Sequence, residues 1–354
     1  MISAVIVSYR SAVLAERAIS ALRGDAARAG LQIENVVVVN SGDPAEVRSV
    51  SHAADVTIDA RENLGYAGGL NRGLRAARGD VLFLMNPDVT VRPGAVAALA
   101  EAVHRAPMTM AGPATFLDED ESLLIPLFDE PSPLDLARRR LLLDPRGADR
   151  VFARRLPRVR RAYEAVSRRE TFTVSALSGA MMAVSREALE SVGEFDERYR
   201  LYFEENDWQR RLRRLGGRLL LVGAARAVHP YGRTTKGEPQ AARWFAESER
   251  LYFTEHFGAR GAAALDALTA SASNLAPWPK LPVEAALSWD GKALGVAVSP
   301  LRSFGVFGFA PLPAGARGWR PPAGFREMLS DSTWYARAVA DRSGTALAEV
   351  TLRA

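Results

Sequence analysis

Residues Glu62–Val89 read ENLGYAGGLNRGLRAARGDVLFLMNPDV, and this stretch decides the fold. Its first half has the spacing of a helix at about 67–77, and its second half contains DVLFLMN (80–86), an apolar run typical of a strand covered on both faces. Similar runs occur at 4–9, 35–40 and 55–60, with helical patterns at about 13–29 and 93–104 between the runs. This order predicts an α/β fold, a doubly wound and mostly parallel sheet.

Polar residues follow three of the predicted strands. Ser8 and Tyr9 end the first run, Asn40 and Asp43 follow the second, and Asn86–Asp88 follow the run at 80–86. Ligands of such sheets bind beyond the carboxyl ends of the strands. We therefore expect these residues to surround one cleft, although each is also an ordinary turn residue.

The length of 354 residues suffices for one large domain and a smaller appended unit. The patterns predict a first domain at 1–260, with a basic insertion at about 131–170, and a small β-rich module at 275–354 whose role the sequence does not indicate. The insertion follows EPSPLD (130–135) and interleaves arginine with leucine and valine. It is either a solvated helical surface or a flap that meets anionic lipid headgroups or a lipid-linked phosphate.

Composition bounds the partners and the compartment. The formal charge is +5, mostly from an excess of arginine, which favours anionic partners, but no nucleic-acid-binding signature is present. The absence of cysteine excludes disulfides, thiolate metal sites and a cysteine nucleophile. MISAVIVSYRSAV (1–13) lacks a charged leader, and no apolar run approaches the ~20 residues of a membrane span. We expect a cytoplasmic protein and leave open whether it is peripheral at the inner face of the cell membrane.

Four glycines surround the start of the helix in the opening stretch: Gly65, Gly68, Gly69 and Gly73. Small residues let a ligand approach the backbone, and the free amide groups of a helix start favour phosphate. Close packing of the helix explains the glycines equally well. The stretch is not the dinucleotide-binding fingerprint, which would follow the first strand.

Asp88 is the candidate metal ligand. A hard divalent cation that bridges a diphosphate needs few protein oxygens, because phosphate and water complete its shell. One aspartate and a histidine suffice, and His229 follows the apolar run LLLVGAARAV (219–228). The alternatives are a helix N-cap for Asp88 and a structural histidine.

Three acidic residues, Glu204, Glu205 and Asp207, lie at a predicted helix start in LYFEENDWQRRLRR (201–214). The helix dipole favours acids there, but three are more than capping requires. A hydroxyl nucleophile needs one carboxylate to take its proton, and neighbouring like charges raise a carboxyl pKa. The spacing predicts that Glu204 and Asp207 share one helical face and that Glu205 points elsewhere.

Six segments, in this order, resemble the family 2 glycosyltransferases of the GT-A fold, most closely their rhamnosyltransferase-like branch. They are VIVSYR (5–10), NLGYAGGLNRG (63–73), NPDV (86–89), SGAMMAVSREAL (178–189), GEFDERYRLYFEENDW (193–208) and VHP (228–230). The resemblance covers about 1–256 and implies an inverting, metal-dependent hexosyltransferase, with a GT-A fold followed by the β-rich module. The implied reaction moves rhamnose from dTDP-rhamnose to a hydroxyl of a glycan, a lipid-linked acceptor or a small molecule, in glycan, cell-wall or glycolipid synthesis.

The resemblance also implies roles for individual residues. Asp88 would hold Mg²⁺ or Mn²⁺ against the donor diphosphate, with His229 as a further ligand. Glu205, after Glu204, would take the position of the catalytic base, with Asp207 and Arg211 as the trailing members of that motif. The nucleobase, ribose and sugar region would be lined by Ser8, Tyr9, Asn40, Asp43, Asn63, Gly65, Asn71 and Asn86.

Three residues depart from the family pattern, and other functions stay open. Asn40 and Asn86 each stand where the family commonly has aspartate, and Glu205 replaces an aspartate at the base position. The alternatives are a UDP-sugar transferase, such as a galactofuranosyltransferase, and a noncatalytic sugar-nucleotide-binding protein. A nucleotidyltransferase is disfavoured, because SYRSAVLAE (8–16) has no Gly-rich, Lys-bearing triphosphate loop.

Overall fold

The computed structural model describes residues 1–125, 127–230, 240–272, 280–323, 325, 333–340 and 344–353. The chain forms two compact units, Met1–Thr115 with Arg168–His256, and Phe116–Ser167 with Phe257–Ala354. The basic insertion thus groups with the C-terminal residues, whereas the sequence pattern assigned it to the first domain. The predicted module boundary at residue 275 lies outside the described residues.

The helices and strands follow the predicted alternation. In chain order they are β1 Ile2–Ser8, α1 Ala12–Arg28, β2 Ile33–Val39, α2 Pro44–Ser51, β3 Val56–Asp59, α3 Gly65–Ala76, β4 Val81–Met85, β5 Thr90–Val91, α4 Ala95–Arg105, β6 Thr109–Phe116, α5 Pro133–Leu141, α6 Pro145–Ser167, β7 Thr171–Thr173, β8 Met181–Ser185, α7 Arg186–Val192, α8 Glu204–Arg214, β9 Arg218–Val228, α9 Ala241–Ala272, β10 Val283–Glu284, β11 Leu287–Ser288, β12 Gly295–Ser299, β13 Gly308–Pro311, β14 Gly318–Trp319, β15 Trp334–Val339 and β16 Ala346–Leu352.

The first unit is built on one twisted sheet whose strand order is β3-β2-β1-β4-β8-β6-β9-β5, with β7 also paired to β9. Strands β3, β2, β1 and β4 are parallel, and β8 pairs antiparallel with β4. Strands β5 and β7 pair antiparallel with β9. The predicted α/β fold class is confirmed, and the carboxyl ends of β1, β2 and β4 lie side by side at one edge.

Both faces of the central strand β1 are covered, which explains its continuous apolar sequence. Alternate residues pack in one core with α1 and α4. On the other face, a Cβ atom at Gly69 would lie 2.7 Å from Cγ1 of Val7, and one at Gly73 would lie 2.3 Å from Cγ1 of Val5. These two glycines of α3 therefore serve close helix packing, which is the alternative that the sequence left open.

The second unit contains the predicted β-rich module. Its strands form a five-stranded sheet, in the order β10-β16-β15-β12-β13, and a two-stranded sheet of β11 and β14. One apolar core joins Trp289, Phe325 and Trp334 to the sheet, and a second core joins Phe152 and Leu156 of α6 to β13. Within the part of the chain that the structure describes, no helix is long and apolar enough to cross a membrane.

Candidate active site

Asp88 and His229 meet at the carboxyl edge of the sheet. Strand β5 begins two residues after Asp88 and pairs antiparallel with the end of β9, so that Thr90 lies opposite Val228. This register brings His229 Nε2 to 3.2 Å from Asp88 Oδ1, and both residues are buried. Helix α4 begins at Ala95 with Gly94 as its N-cap, so Asp88 is not a helix cap.

The carboxylate of Asp88 has the His229 ring beside it but no hydrogen bond among the described residues. Among the described residues, neither of its buried oxygens accepts a hydrogen bond of acceptable geometry. A buried carboxylate without such bonds is costly, since desolvation is not offset. Its oxygens are therefore available to a ligand that the protein alone does not provide.

Glu204 and Glu205 form the first turn of α8. Their carboxyl groups are hydrogen-bonded to each other, and one oxygen of each, Oε2, is buried without a hydrogen-bond partner among the described residues. Burial raises the pKa of Glu204 well above its usual value, and the charge of Glu205 raises it further. Burial also raises the pKa of Glu205, against the opposing effect of backbone N–H groups at the helix start. Burial therefore favours the protonated form of the pair relative to the same groups in water.

The backbone before this pair is strained. Tyr202 and Phe203, directly ahead of Glu204, have φ values of 66° and 69° in the left-handed region that favours glycine. The Phe203 ring packs against Phe245 and Tyr252 at centroid distances of 5.3 and 5.5 Å, and these contacts hold the unfavourable turn. Strain of this kind is tolerated where the surrounding structure fixes a functional group.

A chain of contacts links the Asp88 turn to the acidic pair. The backbone N–H of Asn86 donates to the carbonyl of Ala180 at 2.9 Å, and the preceding Gly179 lies against Glu205. A Cβ atom at Gly179 would lie 3.3 Å from Cδ of Glu205, so glycine leaves room for that side chain. The predicted SGAMMAV segment is thus the strip of backbone between the two groups.

Tyr66 connects the same groups electrostatically. Its hydroxyl is buried with no hydrogen-bond partner among the described residues. Burial raises the pKa of Tyr66 well above its usual value, and the negative charges of Glu204, Glu205 and Asp88 raise it further. The charges of all three carboxyl groups therefore act on the same buried hydroxyl.

Asp207 has a different environment, although it lies on the same helix. Its Oδ2 accepts a hydrogen bond from Arg211 Nε at 2.8 Å, and its Oδ1 lies 2.9 Å from Nε2 of His256. Arg211 also donates to the carbonyls of Val192 and Glu194. Glu204 and Asp207 are both buried on α8, whereas Glu205, which was predicted to point elsewhere, lies against Glu204. Asp207 is engaged in structural contacts with Arg211 and His256.

The end of β1 is organised by a carboxylate that the sequence analysis did not single out. Glu46, in the first turn of α2, accepts hydrogen bonds from Ser8 Oγ at 2.6 Å and from Ser41 Oγ at 2.5 Å. It also accepts the backbone N–H groups of Arg10 and Ser11 at 3.0 and 2.9 Å. Ser8 is thus engaged in fixing the loop, and Glu46 joins the ends of β1 and β2.

Asn40 positions the loop that opens α3. Its Oδ1 accepts the N–H of Leu64 and its Nδ2 donates to the carbonyl of Gly65, both at 3.0 Å. Asn63 Oδ1 accepts the N–H of Gly65 at 2.9 Å. Gly65 has φ 77°, and a Cβ atom there would lie 2.6 Å from the carbonyl oxygen of Arg200. These predicted ligand residues therefore anchor the loop at the carboxyl end of β2.

The remaining predicted residues have these positions. Tyr9 is half-buried at the end of β1, with the Arg10 guanidinium 5.2 Å from its ring centroid. Asp43 is exposed and caps α2 by accepting the N–H of Ala45 at 2.8 Å. Asn71 is buried, and its amide bonds to the backbone of Phe195 and to Glu197. Asp43 and Asn71 are thus engaged in local structure.

Sequence reasoning missed Tyr66, Glu46 and Gly179 as organising residues. Tyr66 had one visible signal, since it is the aromatic residue inside a glycine-rich helix start. Gly179 had none, because its importance comes from a side chain that is 26 positions later in the sequence, at Glu205.

Residues 3–193 match the model of the family described as Glycosyl transferase family 2. This match covers more than half of the chain. The chain belongs to glycosyltransferase family 2. The matched segment of this family 2 glycosyltransferase includes Asp88 and Tyr66 and ends before α8.

Two strains of Mycobacterium tuberculosis, CDC 1551 / Oshkosh and ATCC 25618 / H37Rv, contain a curated relative of the family 2 chain. It is named N-acetylglucosaminyl-diphospho-decaprenol L-rhamnosyltransferase and is 31% identical over 193 residues. The aligned region is 50% of this chain, and it spans only 59% of the relative's length.

Solved structures with a similar backbone include one of GalNAc-T7 with UDP, GalNAc and Mn²⁺. Its sequence is 14% identical and the TM-score is 0.47, and the superposition covers 100% of this chain and 72% of that one. A mannosyltransferase from Pyrobaculum calidifontis, PcManGT with GDP-Man and Mn²⁺, has 16% identity and a TM-score of 0.44, covering 78% of this chain and 76% of that one. These likenesses are too distant to indicate a ligand for the family 2 chain.

Proposed function

We propose that this family 2 chain is an inverting, metal-dependent glycosyltransferase, which moves a sugar from a nucleotide donor to an acceptor hydroxyl. The observation that carries the proposal is the strip of backbone that links the Asp88 turn, through the bond of Asn86 to Ala180, to Gly179, against which Glu205 lies. Asp88 and the Glu204–Glu205 pair all have buried oxygens without hydrogen-bond partners among the described residues. Such an arrangement costs stability, and substrates that supply the missing partners would offset the cost.

Glu205 is the proposed base. The acceptor hydroxyl gives its proton to the Glu205 carboxylate as its oxygen forms a bond to the anomeric carbon of the donor. The bond from that carbon to the diphosphate oxygen breaks, and its electron pair leaves with the nucleoside diphosphate. Glu204 donates a hydrogen bond to Glu205 and keeps it oriented. Attack opposite to the leaving group inverts the anomeric centre in a single displacement.

Asp88 and His229 are the proposed groups for Mg²⁺ or Mn²⁺. Among the described residues, no set of three or more acidic, histidine or cysteine side chains could hold a metal. Two groups nevertheless fit, because a cation that bridges a diphosphate takes its remaining ligands from phosphate and water. The two unbonded oxygens of Asp88 meet this requirement. When bound, the cation would offset the charge that develops on the leaving diphosphate.

We further propose dTDP-rhamnose as the donor and a lipid-linked or glycan hydroxyl as the acceptor. The support is the name of the mycobacterial relative, an L-rhamnosyltransferase acting on N-acetylglucosaminyl-diphospho-decaprenol. A thermal-shift panel of nucleotide sugars tests the donor, since a ligand of the folded state raises Tm. With Mn²⁺ or Mg²⁺ present, dTDP-rhamnose should give the largest rise. A larger rise with UDP-galactofuranose would replace rhamnose as the proposed sugar.

Glu205→Gln tests the chemistry. Turnover, measured as release of nucleoside diphosphate from the preferred donor with and without acceptor, should fall by roughly 10³-fold, because a general base is lost. Donor affinity by calorimetry should change little. Glu190→Gln, at an exposed position on α7, is the matched control and should keep full turnover. Wild-type turnover in Glu205→Gln would reject its role as base, and no turnover by the wild type with any donor would favour a noncatalytic sugar-nucleotide-binding protein.

A further inference from the structure

The long helix α6 carries a stripe of arginines on its outer surface. These arginines recur at intervals of four, four, four and three residues, which places them along one side of a helix. All are exposed: Arg146, Arg150, Arg154, Arg158 and Arg161. Residues on the opposite side, such as Phe152, Leu156 and Val159, are buried in the core of the second unit. We call the five arginines the basic stripe.

The charge of the basic stripe is largely uncompensated. Among the described residues, Arg146, Arg150, Arg154 and Arg161 form no ion pair. The acidic residues of α6 are committed elsewhere, since Asp149 pairs with Arg337 at 3.0 Å and Glu164 lies 3.8 Å from Arg160. The stripe therefore presents a field of one sign to the solvent.

The shorter helix α5 exposes leucines beside its own arginines. Leu134 and Leu141 have exposed fractions of 70% and 42%, and they lie seven residues apart, on one side of the helix. Ala137, between them on that side, is also exposed, as is the neighbouring Arg140. An exposed apolar side flanked by arginine is typical of helices that lie in a membrane interface.

A partly exposed ion cluster ties the two helices together within the second unit. Asp129 accepts hydrogen bonds from Arg138 of α5 and from Arg155 and Arg158 of α6. Burial opposes the charge of Asp129, but the three guanidinium groups prevail and lower its pKa. The exposed leucines and the basic stripe thus lie on two helices that are joined by this ion cluster.

We propose that the exposed leucines of α5 and the basic stripe of α6 dock on the surface of an anionic phospholipid bilayer. Guanidinium groups would contact headgroup phosphates, and Leu134 and Leu141 would enter the interface between headgroups and acyl chains. A nucleic acid would satisfy the arginines but would leave both leucines in water, so the bilayer fits the whole surface better. The inference does not depend on the proposed glycosyl transfer.

Vesicle flotation with the full chain tests the docking surface. Vesicles of phosphatidylcholine alone are compared with vesicles of phosphatidylcholine and phosphatidylglycerol, at low and at physiological salt. We expect binding to the anionic vesicles, weaker binding at higher salt, and little binding to the zwitterionic vesicles. Absence of binding to anionic vesicles at low salt would overturn the proposal.

Variants of the surface separate its two components. Replacing Arg146, Arg150, Arg154 and Arg161 with glutamine should weaken binding by at least ~50-fold, since each arginine near an anionic surface contributes severalfold. The leucine variant L134S/L141S should weaken it by roughly tenfold, with less dependence on salt. Circular dichroism and Tm establish that both variants are folded; the substituted side chains are exposed, so both should match the wild type.

Matched controls come from exposed residues of the first unit. The control for the stripe replaces Arg17, Arg48, Arg214 and Arg218 with glutamine and removes the same net charge. The control for the leucines is L31S/L215S, at positions with exposed fractions of 37% and 54%. Both controls should bind vesicles like the wild type. Equal losses in variant and control would overturn the assignment of the surface, as would binding of duplex DNA that exceeds vesicle binding and is unaffected by L134S/L141S.

Discussion

Two sets of carboxyl groups lie at the carboxyl edge of the same sheet: Glu46 is the first, and Asp88, Glu204 and Glu205 are the second. The two sets differ in how many hydrogen bonds their oxygens accept. Glu46 accepts four hydrogen bonds, two from serine hydroxyls and two from backbone N–H groups. Asp88, Glu204 and Glu205 have buried oxygens that accept none among the described residues. The first arrangement is complete without a ligand, and the second is not.

The difference separates a structural carboxylate from candidate catalytic ones. A buried charge that has all its hydrogen bonds stabilises the loop around it, and removing it leaves several donors unpaired. A buried carboxylate without such bonds contributes little to stability or opposes it, and it persists where a bound ligand uses it. Substitutions should therefore change binding and turnover in the second group and stability in the first.

Asp88→Asn should produce the largest effect of the comparison. Metal-dependent donor binding should be lost, and kcat/KM should fall by roughly 10³-fold, because the neutral amide is a poor ligand for a hard cation. Stability should change by less than about 1 kcal/mol, since among the described residues Asp88 accepts no hydrogen bond and only its contact with His229 is altered. Calorimetric titration of the preferred donor with and without Mn²⁺ measures the first effect, and urea unfolding the second. The exposed Asp120→Asn is the control, and unchanged metal-dependent binding in Asp88→Asn would refute the metal assignment.

Glu46→Gln should produce the next largest effect, on stability. The substituted amide turns an N–H group toward donors that need an acceptor, so the free energy of unfolding should fall by about 2–3 kcal/mol. Urea unfolding of the apo protein measures the change, with the exposed Glu62→Gln as the control. At a temperature where the variant is fully folded, the pH dependence of kcat should match that of the wild type. A loss below about 0.5 kcal/mol would remove the distinction between the two groups.

The sequence predicted the strands of the first unit because its apolar runs are continuous and local. Asp88 could be singled out for the same reason, since it directly follows one of these runs. One partner of Asp207, Arg211, lies only one helical turn later in the sequence. The other partner, His256, lies 49 residues away and could not be predicted. Helical spacing also did not predict the contact between Glu204 and Glu205. These residues are N1 and N2 of α8, and side chains at these positions can turn toward free backbone N–H groups.

The roles of the arginines in the basic insertion are also decided by contacts that the sequence does not show. Its arginines were visible in the sequence, but their division between Asp129 and the solvent was not. Three guanidinium groups from two helices converge on that one carboxylate. The pattern of Arg138–Arg169 cannot distinguish the arginines that pair with Asp129 from the other arginines of the basic stripe, since both have the same composition. Arg158 belongs to both sets, and only the structure shows which arginines pair with Asp129.

Glu204→Gln should give the smallest effect, a change in the pH dependence of stability. Burial and the charge of Glu205 raise the pKa of Glu204 well above 4.5 in the folded state. The stability that its proton provides is fully present below the unfolded pKa and is lost as pH rises through the folded one. Glutamine mimics the protonated form and still donates to Glu205, so the Tm of the variant minus that of the wild type should grow from about pH 5 to about pH 8.

The exposed Glu190→Gln should show no such trend. A difference for Glu204→Gln that stays constant over this range would mean that Glu204 carries no proton beyond its ordinary titration, and the contrast with Glu46 would then rest on Asp88 alone.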